Sequence, residues 1–144
     1  MCASGCGRGV LIPRFLLDTH IVIRWLTQPK KLSREQLQCL GASVRRQEFV
    51  AVSAITLLEI AVLVGKISSR RHFSANDVLG QIQSNPVFQI MPLTVDVAAE
   101  VAALGSFLRD PSDRAIVCTA RIHKLRLITS DQRIIDSGLV PVVV

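Results

Sequence analysis

Short apolar runs alternate along this chain with longer amphipathic stretches, and turn residues mark each change of pattern. Leu11 to Leu17 is a run broken by Pro13, which predicts a first strand at Arg14–Leu17. "THIVIRWL" has apolar spacing suited to a short helix; Pro29 ends it and "KKLS" turns. Ser33 with Gln36 three residues on fits a capping box, opening a helix through about Gln47. Phe49–Val52 is a brief β-branched run. Ser53 then caps "AITLLEIAVLVGKI", a helix apolar on nearly every side and so expected to be buried, with Gly65 at its end.

A basic loop, "SSRRHF", is followed by a short helix at Asn76–Ser84 and a third strand in "VFQIMPL". Thr94 caps "VDVAAEVAALGSFL". Asp110 as N-cap with Pro111 at the first helical position starts the next helix. "RLIT" is a fourth strand, "DQRIIDS" a short helix stopped by Gly138, and "VPVVV" a last strand. Short strands alternating with helices predict an α/β fold with a mostly parallel sheet. No repeat or low-complexity block interrupts it. One folded domain is expected over residues 14–144, and the Gly/Ser/Cys-rich residues 1–13 read as a flexible extension.

Composition narrows the classes. Hydrophobic residues make up 49% of the 144, spread along the chain, which excludes a disordered protein. No apolar run approaches the ~20 residues of a spanning helix, so no membrane role is expected. Cys2, Cys6, Cys39 and Cys118 form no CxxC pair, which argues against zinc, and nothing demands disulfides, which fits a reducing cytoplasm. The start lacks the pattern of a signal peptide. Seventeen Lys+Arg against eleven Asp+Glu give a net charge of +6, suited equally to a polyanionic partner and to a merely basic surface. What changes this picture is the position of the acids.

In an open parallel sheet, ligands bind just outside the carboxyl ends of the strands. Asp18 directly follows the first strand, and Asp131 lies two residues past "RLIT". Asp110 and Asp113 sit at the start of the helix leading into that strand, and Glu59 lies about two turns into the helix after the second. One edge of the sheet can therefore gather all five. Clustered carboxylates repel one another, and a hard divalent cation such as Mg²⁺ or Mn²⁺ relieves that repulsion. A cation so held can polarise a phosphoryl oxygen and activate water, the outline of a phosphodiester-cleaving site. Simpler roles exist for most of these acids. Asp18 and Asp131 can cap the helices that follow them; Asp110 is a cap first and a ligand second; Asp113 suits the helix dipole. Glu59 has the weakest such excuse, because Leu57, Leu58, Ile60 and Ala61 surround it in an apolar helix.

Three stretches resemble the PIN-domain ribonucleases, above all the toxin halves of VapBC-type toxin–antitoxin pairs. "LLDTH" is similar to that family's opening strand and first acid, and "VSAITLLEIAVLVGKI" to its second block. "RDPSDRAIVCTARIHKLRLITSD" resembles its third and fourth blocks. The resemblance runs from about Arg14 to Val144. It implies a three-layer α/β/α PIN-like fold with a short, mostly parallel central sheet of four to five strands. It implies catalytic, metal-binding roles for Asp18, Glu59, Asp113 and Asp131, with Asp110 a less certain ligand. Thr129 and Ser130 match small polar positions that orient a ligand or water. It further implies a Mg²⁺- or Mn²⁺-dependent endoribonuclease that leaves a 5′-phosphate, forms a homodimer and is inhibited by a cognate antitoxin.

Three departures stand out: a slightly short segment between Glu59 and Gly65, Leu63 where a basic residue is common, and a long start before Arg14. None removes an acid. Arg114 and Arg133 flank the acids and can touch RNA phosphates, Arg114 equally pairing with an acid such as Asp110. Arg70 and Arg71 read as a solvated loop. Trp25 and His20 read as packing or hydrogen-bonding residues rather than chemistry, and the chain has no Tyr. The rival reading is a PIN-fold RNA-binding or scaffolding module without catalysis.

Overall fold

The computed structural model of the protein describes residues 12–67 and 74–144. Residues 1–11, most of the expected extension, and residues 68–73, the expected basic loop with Arg70 and Arg71, lie outside the described residues. Five short strands form the sheet: β1 (Phe15–Leu17), β2 (Val50–Ser53), β3 (Phe88–Met91), β4 (Arg126–Ile128) and β5 (Val142–Val143). Seven helices among the described residues connect them. These are α1 (Thr19–Thr27), α2 (Arg34–Arg45), α3 (Ala54–Ile67), α4 (Ala75–Ser84), α5 (Val95–Ala103), α6 (Pro111–His123) and α7 (Gln132–Ser137). A 3-10 turn at Pro29–Lys31 separates α1 from α2.

All four strand pairings are parallel and the order is β3-β2-β1-β4-β5. Parallel strands so short are stable only if both faces are covered. The alternation of side chains shows how. Leu17, Val50, Val52 and Ile128 face one layer, where Ile21 and Val22 of α1, Leu40 of α2, Ile60 of α3 and Val78 and Ile82 of α4 cover them. Leu16, Ala51 and Leu127 face the other, against Ile116, Val117 and Ala120 of α6 and Ile134 of α7. Each such Leu or Ile is buried, all but Ile82 completely, and contributes roughly 2 kcal/mol of hydrophobic stabilisation. Helix α5 lies outside α6, with Val97 and Leu104 against Cys118.

Local signals set most boundaries. Ser33 and Gln36 form the expected capping box, and Ser74 with Asp77 forms another at the start of α4. Asp110 caps α6 and Gly138 stops α7 in the left-handed conformation. Two ends differ from expectation. Helix α3 passes through Gly65 to Ile67; a glycine in a helix interior costs only about 1 kcal/mol, which the packing of its inner face through Thr56 and Ile60 offsets. Leu58 and Val62 leave the other face of α3 exposed rather than buried as expected. Helix α5 stops at Ala103 rather than running to Leu108, because Gly105 takes a positive φ of 77° just past the Leu104 cap.

Strand order is what places the site. From β1 the chain moves outward through β2 to β3, then returns across the sheet to β4 on the other side of β1. The crevice between the carboxyl ends of β1 and β4 is thus the switch point of the topology, where ligands bind in such sheets. No helix among the described residues is long and apolar enough to cross a membrane.

Candidate active site

Asp18 stands at that crevice. Its N–H extends the ladder by donating to Ile128 O at 3.0 Å, and its Oδ1 accepts the Thr19 N–H at 2.8 Å at the start of α1. Its Oδ2 accepts a 2.7 Å hydrogen bond from Thr129 Oγ1, just past β4. Capping and clustering are therefore not alternatives for this residue, since one oxygen caps and the other faces β4. Only 5% of the residue is exposed. Burial pushes its carboxyl above the ordinary range, against the bonds from Thr129 and Thr19 and the nearby His20; Asp131 adds to the rise.

Thr129 links two acids. Besides donating to Asp18, its hydroxyl accepts the Asp131 N–H at 3.0 Å. Asp131 in turn caps α7 through the Arg133 N–H at 2.9 Å. The Arg133 side chain grips the same carboxylate, Nε to Oδ1 at 3.2 Å and Nη2 to Oδ2 at 2.8 Å, which holds the Asp131 carboxyl below its usual range.

Asp113, in the first turn of α6, faces this pair. Burial raises its pKa to about 7, and the negative charges of Asp110, Asp18 and Asp131 push the same way; Arg133, with Nη2 3.6 Å from Oδ2, opposes them. Burial and the neighbouring acids together disfavour the charged form of this carboxyl.

Glu59 joins the group through hydroxyls. Thr19 Oγ1 donates to Glu59 Oε1 at 2.5 Å, and Thr56 Oγ1 lies 3.0 Å from Thr19 Oγ1. Thr19 has one proton and Glu59 takes it, so Thr56 must be the donor to Thr19. Thr19 and Thr56 are buried, and they supply the partner that a half-buried glutamate on an apolar helix needs. Both are small polar residues next to singled-out acids, one directly after Asp18 and one three before Glu59, a spacing that could have drawn attention to them. Gln36 is a further contributor. Buried in the first turn of α2, it donates through Nε2 to Thr129 O at 3.3 Å and Ser130 Oγ at 3.1 Å, steadying the turn after β4.

Two expected residues have other duties. Arg114 is neither a free phosphate contact nor a partner of Asp110. Its guanidinium donates to two carbonyls of the α5–α6 connection, Gly105 O and Leu108 O at 2.6 Å, and to Val101 O in the last turn of α5 at 2.7 Å. With α5 ending at Ala103, a fork of N–H donors reaches these carbonyls together. Asp110 is exposed and its Oδ1 accepts from the Ser112 and Asp113 N–H groups, so its shown role is the cap. Ser130 is exposed, and Trp25 packs edge-on against Phe88 in the core, with ring centroids 5.6 Å apart.

Among the described residues, no three His, Cys, Asp or Glu side chains already stand in cation-binding array. Asp131 is turned to Arg133, Glu59 to Thr19 and Asp110 to its own helix. The donors present are nonetheless carboxylate and hydroxyl oxygens, which suit a hard divalent cation, and a cation there would favour the charged form of Asp113 that burial and its neighbours disfavour. A 540 Å³ concavity lined by Arg121, Lys124, Leu125, Val140 and Pro141 lies where β4 and β5 begin, the opposite end of the sheet from the acids.

Residues 15–137 match the PIN domain. The chain is 32% identical over 120 residues to Ribonuclease VapC22 of Mycobacterium tuberculosis, covering 83% of this chain and 88% of that protein. Its fold matches a crystal structure of VapBC2 from Rickettsia felis bound to a promoter DNA fragment, with TM-score 0.69 at 16% identity over 90% of this chain and 96% of that one. A toxin–antitoxin complex from Klebsiella pneumoniae matches with TM-score 0.61 at 25% identity, over 90% and 95% of the two chains. The chain belongs to the PIN-domain family, among its VapC-type members.

Proposed function

We propose that this protein is a Mg²⁺- or Mn²⁺-dependent endoribonuclease and the toxin of a toxin–antitoxin pair. The observation that carries the reading is the meeting of Asp18, Asp113 and Asp131, with Glu59 one hydroxyl away, at the switch point of the sheet. The similarity to a protein named a ribonuclease supplies the substrate class. Charge makes the case for a cation independently. A phosphodiester would be repelled by these carboxylates, although the chain as a whole carries +6 and attracts RNA. A divalent cation held there would reverse the local sign, lower the pKa of a water and stabilise charge on the phosphate oxygens.

The chain's own residues do the positioning. Thr129 and the Thr19 N–H fix both oxygens of Asp18, leaving lone pairs on each for a cation. Thr56 and Thr19 hold Glu59 in one orientation from below. Gln36 steadies Ser130 at the rim, where a hydroxyl can orient water or a phosphate oxygen. Preorganisation of this kind removes the cost of ordering the ligands during the reaction. The similarity to a toxin–antitoxin complex supports a cognate antitoxin as partner. A homodimer belongs to the same proposal, and the exposed Leu58 and Val62, one turn apart on α3, offer it an apolar surface.

Incubating the purified protein with mixed RNAs, with Mg²⁺, with Mn²⁺ and with EDTA, tests the reading. Cutting that needs the cation, leaves 5′-phosphates and disappears in Asp18→Asn is expected. RNA bound but left uncut with either cation would instead make the protein a binding module.

A further inference from the structure

Arg133 sits where a cation would. Its planar fork takes both oxygens of Asp131, at 3.2 and 2.8 Å, and the same Nη2 reaches to 3.6 Å from Asp113 Oδ2. One positive side chain is thus shared by two carboxylates from two different elements, α6 and the turn after β4. Its side chain is 74% exposed. An arginine held only by charge and free on its outer side is removed at little cost once another cation neutralises its partners.

The oxygens that Arg133 occupies are those that a divalent ion would take from Asp113 and Asp131. Guanidinium and metal therefore compete for one position, and single-charged Arg133 loses to a compact double charge only when enough of the ion is present. We propose that Arg133 is a resident counter-ion, displaced from Asp113 and Asp131 when a divalent cation binds, so that cation entry and Arg133 release are one coupled event. This rests on the acids being a cation site. Its consequence is a site that stays closed to weakly binding ions and holds the domain together without metal.

Binding of Mn²⁺ to the metal-free full chain, followed by the electron paramagnetic signal of the free ion and without RNA, tests this. Arg133→Gln should tighten Mn²⁺ binding by about three- to tenfold, the range that loss of two solvent-exposed charge contacts allows. Arg133→Lys should fall between, because an ammonium cannot span both Asp131 oxygens and reach Asp113. In the unaltered protein, the Arg133 Nε–H resonance should move during a Mg²⁺ titration in step with the amides of Thr19 and Asp131. Equal or weaker Mn²⁺ binding by Arg133→Gln, or an Nε–H signal that stays still while those amides move, would overturn the counter-ion role alone. Absence of Mn²⁺ binding by both the wild type and Arg133→Gln would overturn the cation-site reading, and the counter-ion with it.

Discussion

Asp113→Asn should make the metal-free protein more stable while destroying its activity. In the fold, burial and three neighbouring acids raise the Asp113 pKa from 3.8 to about 7. A rise of that size corresponds to about 4 kcal/mol of preference for the neutral carboxyl. Solvent on the open side of the site and relaxation of the acids reduce the usable part to about 2 kcal/mol. The unfolded chain ionises Asp113 near pH 3.8, whereas the folded chain holds the proton to about pH 7. Between these values the native state binds more protons, so wild-type stability falls as pH rises through that window and stays low above it. The Asn variant carries no such charge. Its advantage should be absent near pH 4 and complete by pH 8, where about 2 kcal/mol raises the melting temperature by about 4–8 °C for a chain of this size. Thermal unfolding in EDTA at pH 4, 6 and 8, wild type beside variant, measures it. A variant equal to or less stable than wild type at pH 8 would refute the claim that burial and the neighbouring acids disfavour a charged Asp113.

Thr129→Val, nearly isosteric, removes the donor to Asp18 and leaves the Asp131 N–H without its acceptor; urea unfolding should show a loss of about 2–4 kcal/mol. A loss below about 0.5 kcal/mol would mean that the hydroxyl does not tie the two acids together. Arg114→Ala should cost about 2–3 kcal/mol by freeing three carbonyls, yet leave RNA cleavage per folded molecule unchanged. A large drop in cleavage with little loss of stability would restore Arg114 as a contact to RNA.

Much of the architecture is legible because it rests on local chemistry. The Ser33–Gln36 box, the Asp110-Pro111 start and Gly138 each act within a few residues, and each appears where the sequence predicts it. Gly65 and Gly105 show the limit. Both are stop signals, but only tertiary packing decides that the apolar α3 overrides the first while α5 obeys the second. The same limit governs the site. Acids at strand ends can be read from Asp18 and Asp131, because strand ends follow from the apolar pattern. The carbonyls that capture Arg114 come from the last turn of α5 and the connection after it, whose shape depends on where α5 stops, and no spacing announces it. The Thr56–Thr19–Glu59 chain spans the start of α1 and α3, elements brought together only once β1 and β2 pair.

The most direct test of the central claim, one cation-dependent RNA-cleaving site built from acids on separate elements, is a mutant cycle. Single-turnover cleavage of an RNA oligonucleotide in Mg²⁺ is measured for wild type, Asp18→Asn, Glu59→Gln and the double variant. Residues that act as one unit lose their effect together, so the double variant should be no slower than the slower single variant. Losses that multiply, or a single variant that cuts as fast as wild type, would contradict the account.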